Sequence, residues 1–218
     1  MKLTRKRVCS NGLTRLEVVV VIAVVTVLIG LVCLMRLPPR HGPSKISCIN
    51  NLKHVGLAFR TFAEDHAGLF PAAVSTNNGG VKELAQSDDL AFFTFQVMSF
   101  ELTTPRLLLC PLDKERSFAT NWVHFQSTNF SYFVGLDSLD IYPQSFLSGD
   151  PDLTVNGNPV TKGHWALTTN MTVGWAGTLH GNAGNVLFGD GRVDRLMNSM
   201  LQQQIALTGF ETNRVVIP

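Results

Sequence analysis

Glu17 is the residue whose position most clearly calls for a chemical explanation. It directly precedes an apolar run, residues 18–35, that contains no charged residue. A helix of about 18 or more apolar residues can cross a hydrocarbon core of ~30 Å, so the run predicts a transmembrane helix. A carboxylate at the mouth of such a helix is costly unless a positive charge pairs with it. We therefore expect Glu17 to have a cationic partner.

Basic residues precede the apolar run and set its expected orientation. They are Lys2, Arg5, Lys6, Arg7 and Arg15. An excess of Lys and Arg marks the cytoplasmic end of a membrane-spanning segment. The sequence thus predicts a single-pass protein of the inner membrane, with a cytoplasmic N-terminus and the remainder of the chain in the periplasm.

The segment GLTRLEV, residues 12–18, resembles the processing site of type IV prepilins and type II secretion pseudopilins. In that family a peptidase cuts after the Gly, the new first residue is N-methylated, and the Glu is the fifth residue of the mature chain. The resemblance implies cleavage between Gly12 and Leu13 by a prepilin peptidase and methylation of Leu13. It also implies that Glu17 pairs with the α-amino group of a neighbouring pilin or pseudopilin subunit during fibre assembly.

A second pattern consists of His180, nine intervening residues, and Asp190–Gly191. It is similar to the H-X9-DG signature of prepilin-type proteins from Planctomycetes and Verrucomicrobia. Other stretches match those proteins as well: CINNLKHVGLAFRTFAEDHAGLFP (48–71), LLCPLD (108–113), NFSYFVG (129–135) and NRVVIP (213–218). This resemblance implies a pilin-like head on a fibre-forming helix and implies no enzymatic activity.

His180, Asp190 and Asp194 could bring an imidazole and two carboxylates together on one hairpin, as a metal or catalytic cluster. The alternative is structural, because Asp-Gly is favoured in tight turns and His180 could bond to loop backbone. If a metal binds, oxygen ligands favour Ca²⁺ at Asp190 and Asp194. The sequence contains no HExxH, GxSxG, P-loop or GxGxxG motif, so we expect neither an enzyme nor a cofactor.

The four cysteines differ by their place in the chain. Cys9 lies in the expected leader and Cys33 in the apolar run. Cys48 and Cys110 follow it, and in an oxidising compartment they could pair as a disulfide. Such a bond would join a helix to a strand ending at Pro111.

Local patterns predict the elements that position these residues. Prolines and a glycine in 38–43 predict a hinge. The next segment, 45–66, carries one apolar stripe at helical spacing, formed by Cys48, Leu52, Val55, Phe59, Phe62 and Ala63, which is typical of a core-facing helix. Further expectations are strands at 107–111, 130–134 and 145–150, a loop over 150–163, a strand ending at His180, a hairpin of 186–188 and 192–196, a helix over 199–208, and an edge strand at 214–217.

Together these elements predict an α+β, pilin-like fold. An N-terminal transmembrane helix would precede a helix packed on a small, mostly antiparallel sheet with long loops. The expected domains are a cleaved leader (1–12), a transmembrane and assembly helix (13–37), the hinge (38–43) and an extracytoplasmic head (44–218). A net charge of +2 with 16% charged residues gives no broad basic surface, so nucleic acid is not an expected partner.

The functional hypothesis is a structural subunit of a type II secretion pseudopilus or a type IV pilus-like fibre. One alternative is a minor, tip-located subunit for binding or adhesion. Another is a membrane-anchored extracytoplasmic domain that never assembles. Copy number separates the first two, since a major subunit is needed in many copies and a tip subunit in few.

Overall fold

The computed structural model describes residues 14–35 and 45–218, with side chains for 14–31 and 46–218. These residues fall into two compact units: helix α1 (Arg15–Met35) belongs to one, and every later element belongs to the other. The predicted leader, 1–12, and the predicted hinge, 38–43, lie outside the described residues.

Within the described residues, no helix combines the length and the apolar character needed to cross a membrane. The predicted transmembrane helix over 13–37 is therefore wrong, and with it the predicted inner-membrane location. Two charged residues, Arg15 and Glu17, lie in the first turn of α1.

The second unit is α+β, and its described residues form nine strands in two antiparallel sheets. The larger sheet has the order β5-β9-β1-β2-β7-β8. Its strands are β1 (Phe133–Gly135), β2 (Phe146–Gly149), β5 (Gly163–Thr168), β7 (Ala183–Phe188), β8 (Val193–Met197) and β9 (Thr212–Ile217). The smaller sheet has the order β4-β3-β6, with β3 (Leu153–Val155), β4 (Asn158–Pro159) and β6 (Val173–Trp175).

The predicted small sheet is therefore wrong in size, since the larger sheet alone has six strands. Residues 150–163 were expected to be a loop, yet they contain β3 and β4. The expected edge strand exists as β9, but it lies inside the sheet between β5 and β1. Its residues Val215, Val216 and Ile217 are all buried, as suits a strand covered on both sides.

Helix α2 (Lys45–Asp65) confirms the predicted helix, and its apolar stripe is core. Phe59 and Leu52 are at most 1% exposed. The helix crosses β7 at Gly56, where an added Cβ would meet Leu187 Cδ1 at 2.6 Å. A larger residue at this position would require the Leu187 side chain to shift.

The remaining helices are α3 (Leu90–Val97), α4 (Ser99–Leu102) and α5 (Asn198–Leu207). Short 3₁₀ helices lie at Pro71–Ala73, Thr76–Asn78, Lys82–Leu84, Pro105–Leu108 and Trp122–His124. The predicted strand at 107–111 is wrong because Pro105 begins a 3₁₀ turn, with the Thr104 side chain accepting from Arg106 N. The predicted hairpin and the helix over 199–208 are confirmed by β7, β8 and α5.

Candidate functional site

Glu17 caps the N-terminus of α1. Thr14 N and Thr14 Oγ1 lie 2.7 and 2.9 Å from Glu17 Oε2, and Glu17 N donates to Thr14 Oγ1 at 3.3 Å. This reciprocal arrangement is a capping box, in which each side chain satisfies a backbone amide of the other residue. The Thr-x-x-Glu spacing in the sequence is the signal that could have predicted it.

Apolar side chains surround α1 on every face. The large ones exposed by more than two fifths include Leu16, Val18, Val19, Val20, Val21, Ile22, Val24, Val25, Val27, Leu28, Ile29 and Leu31. Successive helical residues are rotated by about 100°, so Val18 to Ile22 alone reach all sides of the helix. Gly12 and Leu13 lie outside the described residues, so cleavage and methylation there remain predictions.

The Asp190–Gly191 pair forms the turn between β7 and β8. Gly191 has φ +84°, a backbone conformation that residues other than glycine rarely adopt. Asp190 Oδ1 accepts the N–H of Arg192 at 2.9 Å, and the Asp190 carbonyl accepts from Arg60 Nη1 of α2 at 3.2 Å. The turn thus fixes the hairpin and ties it to α2.

The structure does not bring His180 together with Asp190 and Asp194. His180 is 3% exposed and lies in the turn that precedes β7, so the predicted strand ending there is wrong. Both carboxylates are partly exposed and pair with Arg192, with 3.7 Å between Arg192 Nε and Asp190 Oδ2. A guanidinium between them makes Asp190 and Asp194 a poor Ca²⁺ site.

His180 instead joins the two cysteines in a buried cluster. Cys48 on α2 and Cys110 after the 3₁₀ helix Pro105–Leu108 form a disulfide, with their Cα atoms 5.1 Å apart. His180 Nε2 lies 3.4 Å from Cys110 Sγ and 3.3 Å from Asp150 Oδ2. One group of three potential metal ligands among the described His, Cys, Asp and Glu side chains is placed to share a metal ion, and it consists of Cys48, Cys110 and His180.

Asp150 is the member of this cluster that the sequence did not suggest. It directly follows β2, and it is fully buried. Asn185 of β7 holds it by donating from N and Nδ2 to Oδ2 at 2.7 and 2.8 Å. Burial raises the pKa of Asp150 to about 7, although these hydrogen bonds favour the ionised form. An acid at the end of a buried strand is the sequence signal that could have marked it.

A further set of hydrogen bonds positions Cys110. Its backbone N donates to Ser131 Oγ at 3.2 Å, and that hydroxyl donates to Asp113 Oδ2 at 2.7 Å. Asp113 in turn pairs with Arg116 at 3.0 Å.

We call the set Cys48, Cys110, His180, Asp150 and Asn185 the buried cluster. It combines two sulfur atoms, one imidazole and one carboxylate, all of them buried, which suits redox chemistry or metal binding.

No protein-family model matches the chain, and neither a curated protein nor a solved structure matches it.

Proposed function

We propose that the chain is a structural subunit of a pilin-like fibre and that copies assemble through α1. The observation that carries this proposal is the ring of exposed apolar side chains around α1. Contact with one partner would cover only one face of such a helix. Burying all faces takes several neighbouring helices, as in a filament built by repeating one head-to-tail contact.

The occupant we assign to this surface is α1 of other copies. Valine and isoleucine side chains on every face allow identical helices to pack at several rotations. Glu17 supplies the charge that sets the register, because it lies in the first turn of the helix. In the proposed fibre it pairs with the α-amino group of a neighbour, created when the prepilin peptidase cuts between Gly12 and Leu13.

The test separates the charge of Glu17 from its capping role. Glu17→Gln keeps the capping box, which accepts Glu or Gln, and removes the charge. Thr14→Ala removes the cap and keeps the charge. We expect Glu17→Gln to lower the yield of sheared fibre strongly, since breaking a buried ion pair costs about 3–5 kcal/mol. Thr14→Ala should retain most of the fibre, because a lost cap costs only about 1 kcal/mol.

Fibre yield is measured beside the total amount of subunit in the same cells. Glu64→Gln, an exposed change on α2, is the matched control for loss of one carboxylate. Equal fibre from Glu17→Gln and wild type would contradict the assembly role. Mass spectrometry of fibre subunits should find an N-methylated Leu13 as the first residue, and fibre subunits that begin at Met1 would contradict the maturation step.

A further inference from the structure

We propose that the reduced form of the chain binds Zn²⁺ in the buried cluster, through Sγ of Cys48 and Cys110, Nε2 of His180 and a carboxylate oxygen of Asp150. This inference concerns the second unit and does not depend on fibre assembly.

The two donor spacings that involve His180 match those around a tetrahedral zinc ion. With Zn–S bonds of about 2.3 Å and Zn–N bonds of about 2.0–2.1 Å, sulfur and nitrogen ligands lie about 3.6 Å apart, and nitrogen and oxygen ligands about 3.4 Å. Cys110 Sγ and His180 Nε2 are 3.4 Å apart, and His180 Nε2 and Asp150 Oδ2 are 3.3 Å apart. Ligand atoms of Cys48, Cys110 and His180 all lie within 4.8 Å of one another, and Asp150 approaches this group of three at His180.

The four side chains reach the cluster from four separate places in the fold. Cys48 comes from α2, Cys110 from the segment after Pro105–Leu108, Asp150 from the end of β2, and His180 from the turn before β7. All four are at most 3% exposed. A closed site of buried sulfur, nitrogen and oxygen donors is the pattern of structural zinc rather than catalytic zinc, which keeps an open position.

The surroundings also suit a metal ligand at Asp150. Asn185 fixes its Oδ2 with two hydrogen bonds, as outer partners of zinc ligands do. Among the described atoms, Asp150 Oδ1 is buried and has no hydrogen-bond partner, so a carboxylate oxygen is available for a cation. Two thiolates, a carboxylate and Zn²⁺ leave one negative charge, and the Arg195 guanidinium, which donates to the His180 carbonyl at 3.2 Å, offsets it.

Zinc binding requires a reductant, and a dithiol supplies it. The dithiol gives two electrons to the Cys48–Cys110 bond, which breaks into two thiolates, while the dithiol closes to its own disulfide. The two protons of the dithiol are released as Zn²⁺ takes up the thiolates. The disulfide and the zinc ion are therefore alternative cross-links for the same place, one for oxidising and one for reducing conditions.

The test uses the full-length chain in oxidised and reduced form. The reduced sample is treated with dithiothreitol, which is then removed by anaerobic desalting. Each sample receives Zn²⁺, is desalted again, and is analysed for zinc by mass spectrometry. We expect about one zinc ion per reduced chain and none per oxidised chain. A zinc-free reduced chain would overturn the proposal, and so would equal zinc in both forms.

Variants and spectroscopy assign the ligands. His180→Asn and Asp150→Asn should each lose zinc retention in the reduced form, whereas His124→Asn, an exposed control, should keep it. Near-ultraviolet circular dichroism of the oxidised variants is the control that checks whether each one folds. X-ray absorption of the reduced, zinc-loaded wild type should give a shell of two sulfur and two lighter atoms. A shell without sulfur, or unchanged zinc retention by His180→Asn, would overturn the assignment.

Discussion

Helices α1 and α2 have the same length, 21 residues, and opposite surroundings. In α2 most of the apolar residues form one stripe, which the sheet and the short helices of the second unit bury, whereas Ile46 and Leu57 are exposed. In α1 they occupy every face and remain exposed. The difference shows that the amount of apolar surface does not by itself create a core. One stripe can be satisfied within one chain, whereas apolar residues on all faces require several neighbours.

The largest expected effect comes from truncating a core residue of α2 and comparing it with α1. Phe59 is 1% exposed and packs edge-on against Phe70, with the two ring centroids 5.7 Å apart. Phe59→Ala should lower the free energy of unfolding of the second unit by about 3–5 kcal/mol, through lost burial and a residual cavity. Ile22→Ala in α1 should leave it unchanged. Urea unfolding followed by tryptophan fluorescence measures this, since all three tryptophans lie in the second unit. An equal loss in both variants would remove the distinction between the helices.

Reducing the disulfide should come next in size. The bond joins Cys48 and Cys110, which are 62 positions apart in the sequence, and the chain-entropy model assigns a loop of that size about 4 kcal/mol of stabilisation as an upper value. We expect the urea midpoint of the second unit to fall when a dithiol is added in the presence of a chelator. A midpoint that stays the same would show that packing alone holds α2 in place.

Two glycines offer a matched pair across the units. An added Cβ at Gly135 in β1 would lie 1.7 Å from the Phe146 carbonyl oxygen, which belongs to the neighbouring strand and cannot move aside cheaply. Gly135→Ala should therefore destabilise the second unit by at least about 1–3 kcal/mol. At Gly30 in α1 nothing lies within 4 Å, so Gly30→Ala should leave the second unit unaffected and favour the helix. The same urea titration compares them, and a neutral Gly135→Ala would contradict the close strand contact.

The smallest expected effect concerns a carboxylate cap in the second unit that parallels Glu17 in α1. Thr76 N and Ser75 Oγ both donate to Glu83 at 2.7 Å and lower the pKa of its carboxyl to about 2. Because the folded-state pKa lies below the unfolded value of about 4.3, this stabilisation is present above about pH 4.3 and is lost as the pH falls towards 2. Near pH 7 the free energy of unfolding of the wild type should exceed that of Glu83→Gln. The difference between the two free energies should be smaller at about pH 3. A gap that widens on acidification would contradict the capping role.

Local patterns predicted the elements best. The stripe of α2, the Asp190–Gly191 hairpin and the helix that became α5 each depend on residues close in sequence, and each was found. The capping box of Thr14 and Glu17 could also have been read from its spacing. The membrane-spanning prediction depended on the apolar run alone, and among the described residues no helix is long and apolar enough to cross a membrane.

Long-range pairings could not be predicted from such patterns. Strand β9 is central because it pairs with residues 133–135 and 163–168. The sequence of 214–217 does not indicate which strands it pairs with. The same holds for the buried cluster, whose members lie as far apart in sequence as Cys48 and Asn185. His180 was singled out by its spacing to Asp190, yet its actual neighbours are Cys110 and Asp150. A one-dimensional motif can mark a residue as important without saying what it contacts.

The position of β9 has a consequence for the order in which the protein is made. Both of its neighbours, β1 and β5, leave the ribosome before it does. Until residues 212–217 emerge, each of those strands has an unpaired edge, a surface on which other extended chains can add. Strand β9 covers one edge of β1 and one edge of β5 at once, and among the described strands β5 joins the larger sheet only through β9.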